Sequence, residues 1–336
     1  IGQLIAAHPK LHEPVIDGLL RRGETANIVA DPKRGKSWLS YGIALSVATG
    51  LDWLGFPTTA GRVLLVDNEL HEPTIAHRIP KVAKAMGIEE EDYRHQLDVI
   101  ALRGHLLDLQ SIARMLSTIE RGEYSIVILD AWYRAIPKGV SENDNPGIMQ
   151  LYNLIDQTTA ALDSAWLNIH HASKGNQSGK SVTDVGSGAG SQSRAADTHI
   201  VLRKHQEEGV VALDAAVRSF PPIQPVCLRW EFPLWHRDLS YDPGKLDGLL
   251  TNGEKRQSAK DQEACDPISK SLAKGDLSGN DLATAAAMGK DRCQRLVGVL
   301  MQAGKVTDYE GKKGHQACKF YHLEAATDDD DSESEF

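Results

Sequence analysis

The sequence predicts an α/β protein built on a mostly parallel sheet, and three observations carry this. The apolar runs Ile28-Val29-Ala30, Val63-Leu64-Leu65-Val66 and Ile126-Val127-Ile128-Leu129 are continuous rather than alternating, the pattern of strands covered on both faces. Segments with helical spacing separate these runs. The first run passes through a turn into Gly35-Lys36-Ser37 and then a helix-spaced stretch, Trp38 to Leu45. Strand, short connection, helix and strand again is the grammar of parallel sheets.

Composition bounds the rest. A chain of 336 residues makes two domains or one large one, and 41% hydrophobic with 25% charged residues describes an ordinary soluble globular protein. No apolar run reaches membrane-spanning length and no signal peptide is visible, which reads as a cytoplasmic protein. The chain begins at Ile1 rather than Met, leaving room for an upstream segment. Cys227, Cys265, Cys293 and Cys318 are scattered, with neither disulfide-framework nor zinc spacing. A net charge of −9 argues against a wholly basic nucleic-acid binder, but the last residues hold much of it: Asp328 to Glu335 contribute six carboxylates and read as a disordered tail.

Taken in order, residues 1–24 give a short helix (Ile1 to Ala7) and a proline-marked lead-in. Thr25 to Ala30 is the first strand. Gly61 to Glu69 is an apolar run closing on acids, residues 74–95 an amphipathic helix, Leu97 to Leu102 a short strand, and Leu109 to Glu120 another helix. Ser125 to Asp130 is a strand ending in an acid, and Gly147 to Leu162 a helix. Ala165 to Ile169 is a strand ending in His170-His171-Ala172-Ser173-Lys174-Gly175. The loop from Gly175 to Ser193 is rich in glycine and serine and reads as flexible. A hairpin from Leu202 to Val217 and a last strand from Val226 to Leu234 complete this part.

The chemistry sits at strand ends. Ala30-Asp31-Pro32-Lys33-Arg34-Gly35-Lys36-Ser37-Trp38 has the context of a phosphate-binding loop, because free amides and the helix dipole favour an anion at a helix amino end. Lys36 would reach the β/γ-phosphates and the Ser37 hydroxyl would ligate Mg²⁺. Ala30 departs from the pattern G-x-x-x-x-G-K-[ST], which has glycine there. Glu69 could activate a water or be a solvated loop acid. Asp130 has the placement of a carboxylate beside Mg²⁺, although many strands end in Asp. The histidine pair has no third ligand at metal spacing, so a polar γ-phosphate sensor fits it better.

This ordered set, from Asp31-Pro32-Lys33-Arg34-Gly35-Lys36-Ser37 through Glu69 and Asp130 to the His-His-Ala-Ser-Lys-Gly string at 170–175, resembles the RecA-like P-loop ATPases of the RepA type. These are hexameric replicative helicases of plasmids, with AAA-labelled relatives in phages and mobile elements. The resemblance covers residues 10–235. It implies ATP and Mg²⁺ as cofactors, Lys36 and Ser37 at phosphate and metal, Asp130 at the metal, Glu69 as catalytic base and His171 as γ-phosphate sensor. It also implies an arginine finger reaching a neighbouring subunit, best matched by Arg203 with Arg194 as rival, and single-stranded DNA passing through a homo-oligomeric ring.

Beyond 240 the composition turns polar, and residues 241–270 read as a linker. Leu277 to Gly289 is a capped helix and turn, Lys290 to Ala303 a second helix, and Lys305 to Tyr309 with Cys318 to Leu323 two strands flanking a turn at Glu310 to His315. That order resembles a winged helix over 271–325, with Lys290, Arg292, Gln294 and Arg295 offered to duplex DNA and Lys312, Lys313 and His315 to phosphates. From 290 to 325 there are seven Lys/Arg against four Asp/Glu. The combined expectation is a RecA-like ATPase domain (1–240), a linker, a winged helix and an acidic tail (326–336), coupling ATP hydrolysis to DNA translocation, unwinding or remodelling. The alternative is an ATP-gated DNA-binding regulator with slow turnover and no unwinding.

Overall fold

The computed structural model describes residues 1–31, 35–172, 178–185, 190–248, 264–302, 305–313 and 316–324. The chain divides into two compact units, residues 1–249 and 250–336.

The first unit opens with helix α1 (Gly2–Ala7) and a ribbon of β1 (Pro14–Ile16) and β2 (Leu20–Arg21). Then β3 (Thr25–Ala30), α2 (Lys36–Thr49), β4 (Val63–Asp67), α3 (Glu72–Ala85), α4 (Glu90–Tyr93), β5 (Leu97–Ala101), α5 (Leu109–Leu116), β6 (Ile126–Asp130), α6 (Trp132–Ala135), α7 (Asn145–Leu162) and β7 (Ala165–His171) alternate along the chain. After α8 (Gly190–Ala195) come β8 (Thr198–Lys204), β9 (Val210–Val217), β10 (Val226–Glu231) and β11 (Leu234–Asp238). Among the described residues β3 to β11 form one nine-stranded sheet in the order β11-β10-β9-β8-β3-β7-β6-β4-β5. From β8 to β5 every pairing is parallel, whereas β9, β10 and β11 extend the sheet antiparallel. The expected α/β core with a mostly parallel sheet is what the chain forms.

Alternate residues of one strand feed two cores, which is why the apolar runs are continuous. Val63 and Leu65 of β4 join a cluster containing Leu39, Ile43 and Val47 of α2 and Ile75, Ile79 and Val82 of α3. Leu64 and Val66 join the opposite cluster, with Ile112 and Leu116 of α5 and Ile148 and Ile155 of α7. Each such side chain contributes about 1.5–3 kcal/mol by leaving water. The central helix α2 is buried along most of its length and ends at Gly50, whose φ of 76° lets its amide return to the Ser46 carbonyl.

The structure revises several sequence boundaries. The helix expected over 74–95 ends at Ala85, because Gly87 takes a left-handed φ of 72°, and α4 restarts behind a capping box of Glu89 and Asp92. The last strand expected over 226–234 is two strands folded back at Phe232-Pro233, since proline has no amide to continue the ladder. Residues 241–248, read as linker from their polarity, lie against β8: the Asp247 amide donates to the Lys204 carbonyl, and Leu246 is buried.

The second unit contains α9 (264–272), β12 (Leu277–Ser278), α10 (Gly279–Ala285), α11 (Lys290–Gln302), β13 (Val306–Lys313) and β14 (Gln316–Leu323), with an antiparallel sheet ordered β12-β14-β13. Its core joins Cys265, Ile268 and Leu272 of α9 to Leu282 of α10 and to Cys293, Leu296, Val297 and Leu300 of α11. α9 therefore occupies part of the stretch assigned to the linker; its apolar residues recur at helical spacing inside a polar sequence. The Ser278 hydroxyl caps α10 by accepting from the Asp281 amide at 3.5 Å. Glu310 to Lys313, expected as a turn, continue β13. The expected acidic tail, residues 249–263 of the linker, Gly314 and His315 lie outside the described residues.

Candidate nucleotide site

The site is built at the carboxyl edge of the parallel strands, where ligands gather in open α/β sheets. β3 ends at Ala30, and α2 begins beyond Gly35, which takes φ 70° and gives the helix no side-chain cap. Uncapped amides at a helix start are free donors for an anion. Pro32, Lys33 and Arg34 lie outside the described residues, whereas Ala30, Asp31, Gly35, Lys36, Ser37 and Trp38 are within them. Ala30 is buried in regular strand geometry, so the glycine absent from this position is not needed for the strand's exit.

Lys36 folds back over that exit. Its Nζ donates to the carbonyls of Ala30 and Asp31 and to Nδ1 of His171, each at 2.8 Å. Burial lowers the ammonium to about 8, opposed by the charges of Asp130, Glu69 and Asp31. An ammonium with all three protons committed to neutral acceptors is a cation awaiting an anion.

Asp130 closes β6 and stands opposite Asp67, which closes β4. Burial, then the charge of Asp67, pushes the Asp130 carboxyl up to about 7, while a hydrogen bond from Ser37 holds it down. Its Oδ2 is buried without a partner among the described residues. An orphaned buried oxygen next to the loop serine fits an oxygen-seeking divalent cation. Among the described residues no group of three or more His, Cys, Asp or Glu side chains could hold a metal alone. Such an ion would arrive with phosphate oxygens.

Sequence reasoning gave Asp67 no role, yet it sets the geometry around Glu69. Its Oδ1 accepts the amides of Glu69 (2.9 Å) and Leu70 (2.8 Å), and Tyr41 donates its hydroxyl to Oδ2 at 3.3 Å. Burial raises the Asp67 pKa. Asn68 ties the two strand tips together: its amide donates to the Asp130 carbonyl, and its Oδ1 accepts the Ala131 amide at 2.8 Å. Glu69 is thereby fixed two residues beyond β4, with Oε2 4.0 Å from Nε2 of His171. The parallel register of β4 with β6 is the signal that places Asp67 beside Asp130.

The two histidines diverge, as alternation along a strand requires. His171 faces the site and lies beside Ala30 in the ladder of β3 and β7. Burial and then Lys36 lower its pKa, so the neutral ring prevails. Its outer face meets the Tyr133 ring at 5.1 Å, and an open cavity of about 340 Å³ lined by Tyr133, Ile136, Val140 and Glu142 adjoins it. His170 is buried on the opposite side against Trp132, sharing Tyr152 and Asn27 as partners. It is a core residue of the sheet.

Lys36, Ser37, Glu69, Asp130 and His171 are brought together; the arginines are not with them. Arg203 follows Leu202, the neighbour of Ala30 in β8, and so stands at the same edge of the sheet, donating to the Lys180 carbonyl at 2.9 Å. Arg194 is exposed on α8 at the opposite, amino edge, where its carbonyl accepts from Arg218. On the flank of α2, the hairpin of β10 and β11 leans on Gly35: a Cβ there would come within 3.0 Å of Nε1 of Trp235. Trp38 sits among Trp230 and Phe232, with the Arg78 guanidinium 4.7 Å above its ring. That buttress is absent from the sequence reading.

Among solved structures, the chain is similar to the RadB recombinase at 14% identity, covering 63% of this chain and 89% of that one with a TM-score of 0.45. It is similar to a solved ATPase domain at 14% identity, covering 70% of this chain and 95% of that one with a TM-score of 0.48. No curated protein matches it. The AAA domain family matches residues 2–177, a span that runs from before β3 to just past the end of β7 and holds the loop lysine, both strand-tip acids and His171. By that match over more than half its length, the chain belongs to the AAA domain family.

Proposed function

We propose that this protein is a Mg²⁺-dependent ATPase whose turnover drives translocation on, unwinding of or remodelling of DNA, in the manner of RepA-type replicative helicases. The observation that supports it most is the convergence of Lys36, Ser37, Glu69, Asp130 and His171 at the amino end of α2. ATP fits a seat that offers a cation, free helix amides and acids on two neighbouring strands.

In this reading Lys36 releases its backbone acceptors and moves onto the β/γ-phosphates. Ser37 and Asp130 hold Mg²⁺, which supplies charge neutralisation on the phosphate oxygens when bound. Glu69 accepts a proton from the attacking water, and its reach is set by Asp67. His171, freed from Lys36, donates Nε2–H toward the γ-phosphate and carries its presence into the loop beyond β7. Arg203 is the finger for the nucleotide of a neighbouring copy, in a ring taken as a hexamer. Residues 1–240 act as the ATPase domain and 271–325 as a winged helix on duplex DNA, and the protein works in the cytoplasm. Among the described residues no helix is long and apolar enough to cross a membrane.

The test is ATP turnover with and without single-stranded DNA, for the parent and Lys36→Ala. Stimulation by DNA in the parent, absent in the variant, supports the reading. Unwinding of a forked duplex separates it from the regulator alternative, which binds duplex sites and unwinds nothing.

A further inference from the structure

The second unit carries an aromatic surface that the nucleotide site does not use. β13 and β14 pair with Tyr309 opposite Phe320, Thr307 opposite His322 and Gly311 opposite Cys318, so these six residues share one face. The other face sends Val306, Tyr321 and Leu323 into the core. Tyr309 is 47% exposed, and neither it nor Phe320 belongs to an apolar cluster.

This face is ordered. The rings of Tyr309 and Phe320 lie 5.7 Å apart and within 17° of parallel. Phe320 covers Gly311, where a Cβ would fall 2.7 Å from the ring, so only glycine lets it lie down on the strand. Asp276 fixes the flank: it accepts the Tyr309 hydroxyl at 2.8 Å, and Nδ1 of His322 lies 2.7 Å from its other oxygen.

We propose that this face is a stacking platform for the bases of single-stranded nucleic acid. Near-parallel rings, Tyr309 exposed and Phe320 partly so, accept any base by its π-face, and a duplex hides those faces. From 290 to 325 seven Lys/Arg stand against four Asp/Glu, but the carboxylates of Asp276 and Glu324 border this face, so affinity here rests on stacking rather than on charge. Lys305 is exposed just before β13, whereas Lys312 alternates onto the opposite face. A second copy of the chain is a poor occupant, because two rings bury far less than the roughly 1,200 Å² that a stable interface needs. The platform rests on the DNA-coupled reading above, adds a single-strand face to the unit whose α11 that reading gives to duplex, and is independent of the ATP site.

The experiment uses the full chain without nucleotide at fixed salt, with a labelled oligo-dT, an abasic phosphodiester of equal length and a duplex as probes. Oligo-dT should bind better than the abasic strand, and its binding, unlike that of the duplex, should depend on the two rings. Tyr309→Ala and Phe320→Ala should each weaken it about fivefold to a hundredfold while leaving DNA-free ATP turnover unchanged. Tyr309→Phe and Phe320→Trp should keep the affinity, and the new indole should be quenched by oligo-dT, which separates lost stacking from lost folding. Equal binding of the abasic strand, no effect of the ring variants, or a change of oligomeric state in place of affinity would overturn the platform. If only Lys36→Ala loses oligo-dT, the strand belongs to the first unit and the platform fails while the ATPase reading stands.

Discussion

Nζ of Lys36 lies 2.8 Å from Nδ1 of His171. An ammonium has no acceptor, so Nδ1 must be the bare nitrogen, and the ring proton sits on Nε2, on the side of Glu69. On the function proposed above, the cation that would meet phosphate holds the residue that would sense it. In that reading a bound phosphate would exchange these contacts and couple occupancy to the end of β7.

His171→Ala removes one of three acceptors from Lys36 and leaves the helix amides untouched. Affinity for ATP should change by less than about threefold, a few tenths of a kcal/mol being typical when one neutral hydrogen bond is exchanged. Turnover should fall by at least tenfold. Titration with a fluorescent nucleotide beside steady-state phosphate release reads both; equal losses in the two would make His171 a binding residue only.

Glu69→Gln keeps the side chain's size and its backbone tie to Asp67 while removing the base. Nucleotide binding should persist and turnover should drop by about 10²–10⁴, the range for general base catalysis. Undiminished hydrolysis would take Glu69 out of the chemistry.

Arg203→Ala should bind ATP normally and lose hydrolysis by about 10³ or more. Activity should return in mixed assemblies that supply an intact neighbour. No rescue would assign Arg203 a role within its own subunit. Arg194→Ala, at the amino edge of the sheet, should leave turnover unchanged.

Asp130 gives a pH signature. Its carboxyl is held at about 7 in the folded chain, against roughly 3.9 in an unfolded one. The folded state keeps a proton that the unfolded state releases, so this group's contribution to stability falls as pH rises from about 4 to about 7. Asp130→Asn removes the slope. It should melt above the parent at about pH 8 and with it at about pH 4, the difference bounded by on the order of 3–4 kcal/mol. Thermal melts at the two pH values decide it; a variant less stable at the higher pH contradicts the assignment.

What the sequence conveyed was what repeats along it. Val63 to Val66 and Ile126 to Leu129 announce buried strands because every residue is apolar, and Gly35-Lys36-Ser37 announces its loop because few other sequences do that work. Contacts made across the fold left no such trace. Asp67 gains its role only when β4 and β6 pair, and Trp235 meets Gly35 from 200 residues away. Arg194 and Arg203 are near neighbours in sequence yet stand at opposite edges of the sheet, since Arg194 precedes β8 and Arg203 lies near its far end. Polarity hid α9 and the strap at 241–248, where a few well-spaced side chains, Ile268 and Leu246 among them, hold otherwise hydrophilic segments.

β3 lies between β7 and β8, so the strand that carries the phosphate loop is made early and completed late. Its partners are roughly 140 to 170 residues downstream, and pairings so distant form slowly. During synthesis β3 waits with one edge bare until residues 198–204 emerge. A fragment cut after residue 177 would keep the whole family match and still leave that hydrophobic edge open, a template for aggregation. Fragments extended past β9 should stay in solution, because only then is the seam on that side of β3 closed and backed.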